Sequence, residues 1–199
     1  MEKKKEMLNY RVVLASNSPR RRELLAGLGL DFEVRVLQGV DESYPAELPP
    51  CEVPLYIAKE KAAAYGVAEG ELMVTADTVV IVGDEILGKP QDADDARRML
   101  RLLGGRTHQV VTGVTLTTRE QQKAFSVTTD VSFRVLTDAE IDYYIDNYRP
   151  FDKAGAYGIQ EWIGYVGVTA LQGSYYNVMG LPVQRIYEEL VANFGLTVG

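Results

Sequence analysis

The chain has 199 residues, 46% of them hydrophobic and 25% charged, with a formal net charge of -7. That is enough chain for one domain with a sizeable core and argues against disorder; the acidic balance argues against non-specific binding to nucleic acid or an anionic membrane. One cysteine, Cys51, excludes an intrachain disulfide, and a single histidine, His108, leaves too few ligands for a structural zinc site. The charged residues 1–6 lack the apolar run of a secretory signal. No stretch reaches the ~18 apolar residues of a membrane span, so the expected location is the cytoplasm. Residues 1–9 read as a poorly ordered extension of a single domain.

Residues 11–15 are an apolar strand, and a helix follows over 19–28. Ser18 suits the N-cap and Pro19 the first helical position. Arg20, Arg21 and Arg22 then fall in the first turn, where the helix dipole makes each cation unfavourable by roughly 0.3–1 kcal/mol. A bound anion would relieve that conflict through free N–H groups, dipole and guanidinium groups together. A solvated basic face is the plainer reading. Successive helical residues lie roughly 100° apart, so at most two of the three arginines face one ligand.

Residues 32–37 alternate as a strand, and the acidic pair Asp41 and Glu42 follows it. A helix over 52–65 has an apolar stripe of Leu55, Ala58, Ala62 and Tyr65. Lys59 and Lys61 flank that stripe on opposite sides, so at most one borders a given cleft. Residues 72–82 are apolar and β-branched but interrupted by Thr75-Ala76-Asp77-Thr78. A carboxylate lodged there is costly to desolvate, so Asp77 must be paired, bound to metal or placed at an opening. A strand-end carboxylate such as Glu42 could share a divalent ion with it, and Lys89 follows closely after a turn at Gly83-Asp84.

A helix spans 93–103 and stops at Gly104-Gly105. Residues 107–118 and 124–135 read as a long hairpin, so the sheet is mixed. Thr137 and Glu140 form a capping box for a helix ending near Tyr148. A strand is expected at 165–171 and a last helix at 182–194. Tyr143, Tyr144, Tyr148 and the Leu100, Leu102, Leu103 set read as core or dimer surface, and His108 as a strand residue without a special role.

Five segments in order resemble the signatures of the Maf nucleotide pyrophosphatases. They are residues 14–25 (LASNSPRRRELL), 76–80 (ADTVV), 88–90 (GKP), 152–160 (DKAGAYGIQ) and 173–182 (GSYYNVMGLP). The resemblance implies an α/β fold similar to inosine triphosphate pyrophosphatase: a mixed twisted central sheet with flanking helices and two lobes around a cleft. It implies hydrolysis of a nucleoside triphosphate between the α- and β-phosphates with a divalent metal (Mg²⁺ or Mn²⁺), commonly by a homodimer. Asp77 matches the family's proton acceptor, and its roles as base and as metal ligand are not separable at this level. Ser16, Arg21, Glu42, Lys61 and Lys89 match positions that handle phosphate or metal. Arg20, Thr78 and Gln160 resemble the specificity set of the dTTP/UTP subfamily. An amide such as Gln160 both donates and accepts, which suits a pyrimidine imide edge. Glu161-Trp162-Ile163 occupies a stretch that is often Gly-rich in the family. A non-catalytic nucleotide-binding regulator of septum formation and a terminal phosphatase are the rival readings.

Overall fold

The structure, a computed structural model, describes residues 6–198. The expected extension at residues 1–9 falls partly outside them. Its described part includes β1 (Glu6–Met7), which pairs antiparallel with β9 (Thr197–Val198) at the other end of the chain.

The main sheet has seven strands. β2 (Arg11–Leu14) lies parallel between β3 (Phe32–Val34) and the first part of β4 (Glu71–Val82). On its other side β4 pairs antiparallel with β6 (Thr107–Thr117), which forms a hairpin with β7 (Gln122–Phe133). β8 (Val168–Gln172) closes that edge, and the short β5 (Glu85–Leu87) returns along the end of β4. The sheet is mixed, as the hairpin requires.

The alternation of β4 builds the two faces. Met73, Val79 and Ile81 point to one face, which α2 (Val53–Tyr65) covers. A Cβ at Gly113 of β6 would lie 2.3 Å from the Leu55 backbone, so α2 meets the sheet at a distance only glycine permits. Leu72, Val74 and Ala76 point to the other face. There they pack with α1 (Pro19–Ala26) and α7 (Val183–Phe194) as the core of one lobe. Val80 and Val82, on the same face, pack with α3 (Ala93–Leu103), α4 (Asp138–Tyr148) and α5 (Trp162–Gly167) as the core of the second lobe.

Helix α3 matches its expected bounds because its signals are local. Asp92 caps it by accepting the Asp95 N–H at 2.8 Å, and Ala96, Met99, Leu100 and Leu103 recur at helical spacing on its buried side. The capping box of Thr137 and Glu140 is formed in both directions.

Four expectations are corrected. Residues 72–82 are one unbroken strand rather than an interrupted one. The buried side of α2 is Val53, Pro54, Ile57, Ala58 and Ala62, so the stripe is centred near Ile57 and leaves Leu55 and Tyr65 half-buried. Residues 165–167 end a helix and the strand begins only at Val168, because the Arg134 side chain and backbone N–H take the carbonyls of Val166 and Gly167. A short helix, α6 (Tyr175–Met179), stands where none was expected. Ser174 caps it, and the fully buried Asn177 donates to the carbonyls of Val110 and Val127.

His108 is buried in the second lobe, edge-on to Phe133 and Tyr157, with Nε2 2.6 Å from the Tyr157 hydroxyl and Nδ1 without a partner. Burial holds its pKa down, to about 4, with Asp130 opposing. The folded state therefore keeps His108 neutral where the unfolded chain, titrating near 6.5, takes up a proton. Stability is full above pH 6.5 and falls as pH drops toward 4, by about 3 kcal/mol in all. Glu71, Glu140 and Asp152, all held down near 2, add their losses only below their ordinary range. Denaturant unfolding at pH 7.0, 5.5 and 4.5 should show this slope, and His108→Gln should flatten it between 6.5 and 4.5.

Candidate active site

On its β6 edge, β4 is paired from Met73 to Ile81. On the opposite edge it pairs with β2 up to Val74 and with β5 only from Val80, so among the described residues 75–79 meet no strand there. The gap opens beside the end of β2, where the chain turns through Ala15–Ser18 into α1. Carboxyl ends of parallel strands, where successive connections diverge, are where α/β sheets receive ligands.

A cavity of about 990 Å³ fills this gap and runs between the lobes. The nine side chains that the family resemblance picks out all line it: Ser16, Arg20, Arg21, Glu42, Lys61, Asp77, Thr78, Lys89 and Gln160. A nucleoside triphosphate fits a site of that size.

The cationic end is built at the start of α1. Ser18 Oγ accepts the Arg21 N–H at 3.4 Å, and the buried Ser16 hydroxyl accepts the Ser18 N–H at 3.2 Å. Each arginine of the first turn has a protein partner, and only that of Arg20, the Asp152 carboxylate, is charged. Arg22 donates to Asn17 Oδ1 at 2.7 Å and Arg20 to Asp152 Oδ2 at 2.9 Å. Arg21 crosses the gap. It donates to Ala76 O at 2.9 Å, Gly180 O at 2.9 Å and Thr78 Oγ1 at 3.0 Å. Burial pushes its pKa below the usual arginine range, with the Asp77 charge opposing. Arg21 thereby fastens the α1 terminus to β4 on either side of Asp77.

Asp77 points to the α2 face. Its Oδ1 accepts from Lys61 Nζ at 3.0 Å, and the same ammonium lies 2.8 Å from Glu42 Oε1. One of the two lysines flanking the α2 stripe therefore borders the cleft, and it is Lys61. The Glu42 carboxyl lies below its ordinary range. Burial alone would raise it, but the bond to Lys61 and the charges of Lys61, Lys89 and Arg21 outweigh that. Lys89 is exposed at the cleft wall, close enough to act on Glu42 and without a bonded partner among the described residues.

At the far end, Thr78 Oγ1 is engaged by Arg21 and, at 2.9 Å, by Thr112 Oγ1. Gln160 carries a buried Oε1 with no partner. Its loop also brings in Asp152, Lys153 and Glu161, to which sequence reasoning assigned no role. Acidic and basic residues flanking a Gly-Ala turn were the available signal. Lys153 is buried and bonds Asp152 Oδ1 at 2.8 Å and Glu161 Oε1 at 3.1 Å.

Among the described residues, no cluster of three or more His, Cys, Asp or Glu could hold a metal ion. Asp77 and Glu42 on one ammonium nevertheless fit Mg²⁺ or Mn²⁺. Such an ion is commonly held by one or two carboxylates, with waters and substrate phosphates completing its shell. Each carboxylate has an oxygen that Lys61 does not occupy.

Fold and site together define a two-lobed α/β protein whose cleft carries a basic helix start on one wall and a lysine-paired carboxylate on the sheet between the lobes. The chain belongs to the Maf-like protein family, whose model matches residues 11–193. A relative from Bacteroides thetaiotaomicron, named dTTP/UTP pyrophosphatase, is 57% identical over 91% of this chain and 95% of its own. Relatives of the same name from Phocaeicola vulgatus and Flavobacterium psychrophilum are 59% and 48% identical, over 91% and 92% of this chain and 95% of each of their own. A solved nucleoside-triphosphatase (dITP/XTP pyrophosphatase) from Mycobacterium abscessus covers 70% of this chain and 95% of its own, at 18% identity and a TM-score of 0.38. No helix among the described residues is long and apolar enough to cross a membrane.

Proposed function

We propose that this chain hydrolyses dTTP and UTP to the monophosphate and pyrophosphate. The single observation that carries the reading is Arg21, which brings the α1 terminus and Asp77 to one gap in the sheet. The names of relatives at 48–59% identity support the substrate class.

The triphosphate lies against the Ser16 to Arg20 turn, whose N–H groups and dipole favour an anion. Lys61 holds Asp77 Oδ1, leaving Oδ2 to orient a water at the α-phosphorus. As the water oxygen bonds to phosphorus its proton passes to Asp77, the bond to the β-phosphate oxygen breaks, and pyrophosphate leaves. Lys89 and Arg20 face the charge that grows on the phosphoryl oxygens and the leaving group. A divalent ion bound at Asp77 and Glu42 would neutralise phosphate charge and lower the pKa of a bound water. Gln160 Oε1, the unpartnered acceptor, receives the imide N–H of thymine or uracil; cytosine offers no donor there. The same reading carries a cytoplasmic homodimer, and the exposed rings of Tyr165, Tyr175 and Tyr176 supply apolar surface for a second copy.

Incubation with dTTP and Mg²⁺ or Mn²⁺, with product analysis, tests the reaction. The expected first products are dTMP and pyrophosphate. Orthophosphate and dTDP as first products would establish a terminal phosphatase instead, and tight binding without turnover would establish a regulator.

A further inference from the structure

A chain of hydrogen-bonded and ion-paired groups runs from the core of the second lobe to the arginine at the start of α1. Tyr144 on α4 is fully buried. Its hydroxyl donates to Glu161 Oε2 and accepts the Gly158 N–H at 3.0 Å. The other Glu161 oxygen lies 3.1 Å from Lys153 Nζ, which also donates to Asp152 Oδ1 at 2.8 Å. Asp152 Oδ2 in turn accepts from Arg20 at 2.9 Å. Each interior member has two partners, so none turns without its neighbours. Gln160 sits inside this clamp, two residues after Gly158 and one before Glu161, with its buried acceptor unpartnered at the cavity.

A buried ammonium, Lys153, paired with the largely buried carboxylate of Glu161 is an expensive way to pack a loop. Desolvating the two costs free energy that apolar side chains of similar volume would not. The loop also carries Ala156 at φ 58°, a left-handed conformation that a residue with a Cβ enters at a cost. Both features place residues 158–161 in one fixed position.

We propose that Tyr144 and Glu161 are positioning residues for base selection. Their hydroxyl and carboxylate clamp the loop on both sides of Gln160 before the nucleotide arrives. The proposal rests on reading the cavity as a pyrimidine nucleotide site. Preorganisation of this kind acts on the cognate base. A displaced Gln160 forfeits its bond to an imide N–H, whereas a substrate that never made that bond has nothing to lose.

The test compares Tyr144→Phe and Glu161→Gln with wild type on dTTP and dCTP. The first removes one oxygen and keeps the ring stacked on Tyr148. The second leaves a single acceptor oxygen for Tyr144 and Lys153 together. The dTTP preference should fall about 10-fold, chiefly through KM, while kcat/KM for dCTP stays within about 2-fold. An unchanged preference, or an equal loss on both substrates, overturns the proposal. Should Tyr144→Phe fail to fold, the partly exposed Glu161→Gln decides alone. If wild type itself shows no preference for dTTP over dCTP, the base-selection reading fails on its own terms. The clamp is then judged by the side-chain amide resonances of Gln160 in ¹⁵N-labelled protein: displaced resonances in the variants support it, and unmoved ones overturn it.

Discussion

Asp77→Asn is expected to fold as the wild type does and to lose roughly 10²–10⁴-fold in kcat with dTTP, the usual contribution of a positioned general base. The amide is nearly isosteric, and its Oδ1 still accepts from Lys61, which also keeps its contact to Glu42 at 2.8 Å. What disappears is the capacity to take a proton from water and the negative charge offered to a divalent ion. The thermal midpoint should therefore stay near that of the wild type while turnover collapses. A steady-state assay of pyrophosphate release, paired with a melting curve, checks both halves. Turnover at the wild-type rate would remove Asp77 from the mechanism.

Arg21→Leu is expected to act on stability as strongly as Asp77→Asn acts on rate. Three acceptors, Ala76 O, Gly180 O and Thr78 Oγ1, lose their donor at once. Thr78 has a second partner in Thr112, but the two carbonyls lie at the unpaired edge of β4 and at the C-cap of α6. A buried acceptor stripped of its partner costs about 1–3 kcal/mol, so about 3 kcal/mol in total is the expectation. For a chain of this size that lowers the midpoint by about 6–12 °C. Arg21→Lys should recover only part of the loss, because one ammonium cannot match a planar fork reaching three acceptors. Thermal unfolding of both variants, with a dTTP titration of whichever remains folded, separates the clamp from any contact with phosphate.

The elements that the sequence disclosed are those whose causes are local. The spacing of Ala96, Met99, Leu100 and Leu103, the Thr137–Glu140 box and the polar turn between β6 and β7 all act within a few residues of each other. β4 looked interrupted because Thr75 and Asp77 satisfy themselves far along the chain. Thr75 donates to Ala58 O at 2.7 Å and meets Thr115 at 2.6 Å, and Asp77 meets Lys61. No local pattern reports such partners. Helix periodicity allowed at most one of Lys59 and Lys61 to border the cleft, but choosing Lys61 took the resemblance to the family. The charge conflict at the start of α1 was visible in three consecutive arginines. The partners the arginines take were not, because Asp152 lies 132 residues from Arg20 and the two carbonyls bonded by Arg21 belong to the unpaired edge of β4 and the C-cap of α6. The clamp formed by Tyr144 and Glu161 was hidden for the same reason. A tyrosine on an amphipathic helix reads as core until the loop that its hydroxyl holds is in place.

The most direct test of the gap as the reaction site is a crystal structure with the non-hydrolysable analogue α,β-imido-dUTP and Mg²⁺. Its phosphates should lie across the unpaired edge of β4, bonded to N–H groups of the α1 turn at one end and beside Asp77 and Lys61 at the other, with uracil at Gln160. Phosphates bound on another surface, or at the α1 turn but out of reach of Asp77, would contradict it.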